Sequence, residues 1–296
     1  MSAARTERAA WGFVSPALAA VGLFLVIPVF GALLLSLTDF DIYALADIRN
    51  MRFVGLDNYV NLLGNPLFWT AMRNTAWFAV LGVPATIVAS LLAAVLLNSK
   101  MVKWRPIWRV AFFAPYVTTL VATAVVWRYL LHTRYGVINW VLDGFGIPPV
   151  DWLGQPETAI PAILIFAVWK LFGYSMLIFL AVLQTVPEEL YEAARIDGAG
   201  PVKQFRHVTL PAIAPTVLLV SIISVATFFQ LFAEPYVMTQ GGPAQSTVTV
   251  LYFMYEEGFK WWNLGSASAV AFILFLCIFA ITLVQLWVSR RLGGET

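Results

Sequence analysis

The chain has 296 residues, of which 60% are hydrophobic and only 11% charged, with a formal net charge of +2 and a mean hydropathy of +0.81. A water-soluble domain carries about 25% charged residues, so this composition excludes a water-facing globule and leaves a bilayer as the solvent. The one cysteine, Cys277, excludes an intrachain disulfide, and His132 and His207 lie too far apart in sequence to suggest a metal cluster.

Six apolar runs, at 11–38, 74–97, 107–131, 159–183, 212–232 and 264–288, reach membrane-crossing length. About 20 helical residues span the hydrocarbon, and each span must be helical to satisfy its own backbone in lipid. The expected fold class is therefore an all-α polytopic membrane protein with about six transmembrane helices, arranged as one membrane domain over 1–296. The first run follows Arg5 and Arg8 and is too long for the apolar core of a signal peptide, so it is expected to be a retained helix. Pro28, Pro84, Pro115 and Pro161 sit within or near the runs and suggest local kinks.

Basic residues set the expected orientation. With the N-terminus in the cytoplasm, eleven of eighteen Lys and Arg fall in cytoplasmic segments, including Lys100, Lys103, Arg105 and Arg109 in the short second connection. Six fall outside, Lys170 lies within the fourth span, and ten of sixteen acids lie outside. Both termini are thus expected in the cytoplasm, by the positive-inside rule. The outer segments 39–73, 132–158 and 233–263 are rich in aromatics, Gly and Pro, which serve either as interface anchors or as a docking surface.

The fourth span carries Lys170 near its middle, with Tyr174 one turn on and on the same face. A midplane ammonium is costly unless it faces water or a partner. The fifth span offers Ser224, Thr227 and Gln230, with Phe228 beside them as a ring for stacking on a sugar face. These residues either line a hydrated path or bond within and between helices; Ala85, Ala89 and Ala93 read as packing. Lys170 contacts either solute or a neighbouring subunit.

Between these two spans lies a long connection, 184–211, with helical patterning. Thr185 and Glu188 fit a capping box with Pro187 in the first turn, Gly198 suits a left-handed C-cap, and Gly200-Pro201 starts a second short helix. Pro211 marks the entry to the fifth span. Ala193 and Ala194 let another surface approach closely, and Glu192 offers a charge to a basic partner.

Glu192-Ala193-Ala194, Gly198 and Val208-Thr-Leu210-Pro211, at this spacing and this place between spans, resemble the "EAA" loop of binding-protein-dependent ABC importer permeases. Phe53-Val-Gly-Leu-Asp-Asn-Tyr59 and Gly241-Gly242-Pro243 resemble segments of carbohydrate-type (maltose-type) permeases, in particular the first of their two non-identical permeases. Val208 departs from the family's commoner isoleucine. The resemblance is to the core six-helix version of the family, so extra N-terminal helices and a large periplasmic insertion are not expected. The resemblance implies that Glu192, Ala193, Ala194, Gly198, Leu210 and Pro211 couple to an ATPase. It also implies that the fourth and fifth spans line a path for a sugar or a glycerol-phosphate-type polyol, and that Gly241, Gly242 and Pro243 meet a binding protein. The implied partners are a second permease, two ATPase subunits and an extracytoplasmic solute-binding protein, in the bacterial inner membrane; no nucleic acid is expected.

No G-x-x-x-x-G-K-[ST] loop occurs in the chain, so ATP and Mg are expected on the partner subunits and no cofactor, metal or enzymatic activity in this chain. The alternative, an ion-coupled secondary transporter, usually carries acids within its spans, whereas all sixteen acids here read as loop or tail residues.

Overall fold

The computed structural model describes residues 3–99 and 102–292, with side chains from residue 11 onward up to residue 291; Lys100 lies outside the described residues. The described chain is helical throughout except for turns and one isolated bridge, Thr38 to Phe53. Five helices are long and apolar enough to cross a bilayer, or six if a bent pair counts as one span. The chain divides into two compact units, residues 1–65 with 254–275, and residues 66–253 with 276–296.

In the first unit, α1 (Ala3–Val21) passes through a π turn (Gly22–Val26) into α2 (Ile27–Ser36). Pro28 explains the widening. It has no N–H to donate, and its ring crowds the carbonyl four residues back, so a turn of larger radius relieves the clash without breaking the helix. Two short helices follow, α3 (Ile42–Ala46) and α4 (Asp57–Leu63). The Phe53–Tyr59 segment is a clip onto the end of α2. Val54 and Gly55 both donate their N–H to Leu37 O, at 2.9 and 3.0 Å. Asn58 Nδ2 bridges Ser36 O and Thr38 O at 2.8 Å each, and Tyr59 Oη pairs with Ser36 Oγ at 2.7 Å. Gly55, at φ +61°, supplies the turn that the clip needs.

Beside the clip, Arg52 donates its backbone N–H and its guanidinium Nε to Asp39, at 2.6 and 2.7 Å. The backbone bond chiefly, then the guanidinium, holds the Asp39 carboxyl below the usual carboxylate range against the opposing effect of burial. Its contribution is therefore complete above roughly pH 4 and lost as pH falls through the depressed value.

In the second unit, α5 (Pro66–Asn98) and α9 (Pro156–Leu183) form the main helix pair, and α12 (Leu210–Phe229) packs on both. Their core is built from Phe78, Phe166, Met176, Phe179, Ile213, Val220 and Phe228, all almost fully buried. Glycine sets the closest approaches. A methyl at Gly82 would fall 2.2 Å from the Phe228 ring, and one at Gly173 would fall 1.9 Å from the backbone oxygen of Phe112. Gln285 Nε2 donates to Ser221 Oγ at 2.6 Å, a polar bond from the last helix, α15 (Leu264–Leu292), to α12.

The third apolar run departs from expectation. It is broken into two helices, α6 (Arg105–Val117) and α7 (Leu120–Leu130), bent by 100° about the extended residues Thr118 and Thr119.

The segment after α7 folds around one side chain. Asn139, in α8 (Val137–Asp143), donates to Thr133 O and Val150 O and accepts from Val150 N–H and Trp152 Nε1, all within 3.2 Å. Asn139→Ala is expected to cost about 4 kcal/mol, since four bonds of about 1 kcal/mol are lost and buried partners are left open. Hydrogen exchange over residues 133–152 checks this; unchanged protection contradicts it.

After α12 come α13 (Ala233–Met238) and a tight loop anchored by the start of α5. Asn74 Nδ2 donates to Gln245 O and Val248 O, and Thr75 Oγ1 accepts from Val250 N–H, the first residue of α14 (Val250–Tyr255).

Candidate functional site: a helical bracket and a buried lysine

The 184–211 connection forms α10 (Glu188–Ile196) and, after a bend, α11 (Pro201–Gln204). The expected capping box does not form. Pro187 is the N-cap, and the Thr185 hydroxyl instead donates back to Val182 O at 2.8 Å, closing the preceding helix. The bend at Gly198 does form, at φ +74°. Ala199 N–H donates to Ala194 O and Gly198 N–H to Arg195 O, which is the bond pair of a Schellman cap.

The second helix is not short. It runs on from α11 through a π turn, Phe205–Thr209, directly into α12, so Pro211 does not interrupt it. This π turn stands in the same relation to Pro211 as the Gly22–Val26 turn does to Pro28, and the same relief of the proline clash accounts for both. Tyr191 Oη pairs with Thr209 Oγ1 at 3.0 Å, tying the bracket to the base of α12.

The bracket presents Ala193, Ile196, Val202, Leu210 and Pro211 as exposed, with Ile196 86% and Val202 80% accessible. Ala194 is half-buried. Glu192 is exposed and lies 3.9 Å from Arg195, which also reaches Glu188 at 3.4 Å. Such exposed pairs hold little energy, so Glu192 remains available to another surface. The exposed apolar residues Ile196 and Val202 carried no motif and were not singled out by sequence.

Lys170 is 4% exposed, and its partners are on its own chain. Its ammonium donates to Pro115 O at 2.5 Å, to Thr118 O at 2.6 Å and to Thr118 Oγ1 at 3.1 Å. These acceptors lie where α6 ends and its last carbonyls have no intrahelical donor. The negative end of the α6 dipole suits the positive charge. Sequence left solute and a neighbouring subunit open as contacts; the structure supplies a third answer, the break in the third run.

Glu234, at the start of α13, is 6% exposed, on an element that packs against α9, the helix that carries Lys170. This corrects the expectation that every acid falls in a loop or tail. The acid was missed because its neighbourhood, Leu231 to Tyr236, reads as the start of an aromatic loop.

The other path candidates each make their own contacts. Tyr174 stacks on Tyr116 of α6, with ring centroids 4.7 Å apart and planes 15° apart. Ser224 is buried, Phe228 is buried against Gly82, and the Thr227 hydroxyl donates to Ile223 O at 2.9 Å. Gln230 is exposed at the C-cap of α12. Gly241 is buried at φ +80°, where a side chain would strike Val248, while Gly242 and Pro243 are half-buried. The surface of that turn is instead made by Gln240, Ala244 and Gln245, which are exposed.

Apolar helices of membrane-crossing length, interrupted by an exposed, rigidly capped bracket, define an integral membrane permease. The chain belongs to the family described as binding-protein-dependent transport system inner membrane component, which matches residues 19–294. It is a permease subunit of a binding-protein-dependent ABC importer, a family of transport proteins rather than enzymes, and the family match favours this over the ion-coupled alternative. It is 38% identical over 241 residues to the arabinooligosaccharides transport system permease protein AraP of Halalkalibacterium halodurans, covering 81% of this chain and 76% of that one. It is 33% identical to the lactose transport system permease protein LacF of Rhizobium radiobacter, covering 95% and 94%. A chain in the crystal structure of a bacterial alginate ABC transporter with a pentasaccharide-bound periplasmic protein has the same fold, with a TM-score of 0.84 and 22% identity over 98% of this chain and 97% of that one.

Proposed function

We propose that this permease forms half of the translocation path for an oligosaccharide or related polyol, paired with a second, similar permease. Two ATPase subunits bind ATP and Mg, and an extracytoplasmic binding protein delivers the solute. The observation that carries the coupling role is the bracket, a Schellman-capped helix whose exposed Ala193, Ile196 and Glu192 are held rigidly at the base of α12. A motion imposed there passes directly into α12, because the helix is continuous from Pro201. The sugar class is supported by relatives named for arabinooligosaccharide and lactose transport.

Tyr174, Thr227 and Gln230 keep accessible surface on the fourth and fifth spans and are the candidates for touching solute. Gln240, Ala244 and Gln245 are the residues through which the Gly241–Pro243 turn would meet the binding protein. Reconstitution with the partner subunits, followed by uptake from a panel of labelled oligosaccharides, tests the reading. ATP-dependent accumulation of one sugar is expected; uptake that persists with a hydrolysis-deficient ATPase overturns it.

Both termini and the bracket are proposed to face the cytoplasm, from the distribution of basic residues. In a Cys277→Ser background, a membrane-impermeant thiol reagent applied to intact cells is expected to label a cysteine at exposed Gln245 but not one at exposed Lys103. The reverse pattern inverts the topology.

A further inference from the structure

The break between α6 and α7 is costly in an apolar setting. Ending a helix at Val117 frees carbonyls that a continuous span would have satisfied. Thr118 Oγ1 donates to Pro115 O at 2.7 Å, which answers part of the need, and the rest is met from another helix by Lys170. A neutral amide at position 170 would also donate to two carbonyls, without an ion in the membrane. The ammonium is accompanied by a second buried ionisable side chain, Glu234. That carboxylate stands on α13, which packs on α7 and on α9. Lys170, the break and Glu234 thus connect four elements, α6, α7, α9 and α13, and α13 follows directly from α12 and hence from the bracket.

Resting on the importer reading above, we propose that Lys170 is a positioning residue of the transport cycle: its ammonium, seated on the carbonyls of Pro115 and Thr118 with Glu234 as counter-charge, holds the third span in its bent state. The extended residues Thr118 and Thr119, which join the two helices without helical backbone angles of their own, are the hinge. A motion of α12 carried to α13 moves Glu234 relative to Lys170, and so alters how firmly the bend is held. A bent and a less bent span are two discrete arrangements of one element, the kind of unit through which a site can be gated. A charge on Lys170 suits this role because a Coulomb interaction falls off only as the inverse of distance, so it weakens gradually with separation where a neutral hydrogen bond would be severed.

The test measures the bend directly. Spin labels at Val110 on α6 and Val126 on α7, both exposed, report their separation in the assembled complex with Cys277→Ala and partner chains free of reactive cysteine. The expected wild-type result is one narrow distance at rest and a second with trapped nucleotide. Lys170→Met is expected to broaden or shift the resting distance whatever the nucleotide, and to lower transport at least tenfold. Lys170→Arg, which keeps charge and donors, is expected to restore the resting distance and bring transport within about threefold of wild type. Glu234→Gln keeps its shape and is expected to give an intermediate distance distribution. Should Lys170→Met fail to assemble, the arginine and glutamine variants still decide the matter: wild-type distances in Glu234→Gln, or a broadened distance in Lys170→Arg, overturn the proposal. So does Lys170→Met with wild-type distances, whether its transport is normal or shows a raised KM for solute, the mark of a solute contact. Because the distance is read without solute, a failure of the sugar reading leaves this measurement intact.

Discussion

Gly198→Val is expected to reduce ATP-dependent uptake at least tenfold while the permease remains inserted and assembled. Gly198 sits at φ +74° in open space, so a Cβ added there meets nothing within 4 Å and the penalty is one of backbone. Left-handed backbone costs an L-residue about 1–2 kcal/mol, and a β-branched residue is among the worst placed to bear it. The bracket relieves the strain by opening its Schellman turn, which releases Ala194 O and Arg195 O and uncouples α10 from the helix that begins at Pro201. Gly198→Asn is the control, since asparagine tolerates the left-handed region; its uptake is expected to stay within about threefold of wild type. Glu192→Lys should act differently, by setting like charges three residues apart against Arg195 and reversing the sign offered to the partner. Solute-stimulated ATP hydrolysis and uptake, measured on the same proteoliposomes, separate the cases. Wild-type coupling in Gly198→Val would remove the bracket from the mechanism.

The second large effect is on stability. Gly173→Val is expected to cost about 3 kcal/mol or more, because the new Cβ would stand 1.9 Å from Phe112 O, and backbone cannot rotate away as a side chain does. The displaced element is α6, whose last turn carries the acceptors of Lys170. Recovery of the assembled complex in detergent and its thermal midpoint should both fall sharply. Gly82→Ala meets the Phe228 ring instead of backbone, and a ring can shift, so a smaller loss is expected there. Equal losses at the two positions would show that close packing at Gly173 is not what holds α6 to α9.

Much of the fold was legible because the relevant physics is local. A run of apolar residues long enough to cross a bilayer must be helical whatever surrounds it, so the membrane class and five uninterrupted spans followed from hydropathy alone. The bend at Gly198 was legible for the same reason, since the left-handed region needs no distant partner to favour glycine. The bracket's resemblance to an importer loop rested on spacing, which sequence displays directly.

What sequence did not display are the pairings made by residues far apart in the chain. Hydropathy reads 107–131 as one span because its average stays apolar across Thr118 and Thr119. Lys170, more than fifty residues away, joins the local Thr118 hydroxyl in giving the freed carbonyls donors, and sequence does not show that pairing. Glu234 read as a loop acid, and its burial follows from α13 turning back onto α7 and α9. The Phe53–Tyr59 motif marked the family, but its work as a clip on Ser36, Leu37 and Thr38 emerges only when the chain has returned on itself. Pro211 looked like a helix boundary, and the tertiary structure passed through it by widening one turn. Sequence by itself determined the solvent, the helices and the local bends, because those depend on neighbours along the chain. Tertiary structure decided where the buried Lys170 spends its charge, because an ammonium in an apolar medium goes wherever acceptors are brought to it.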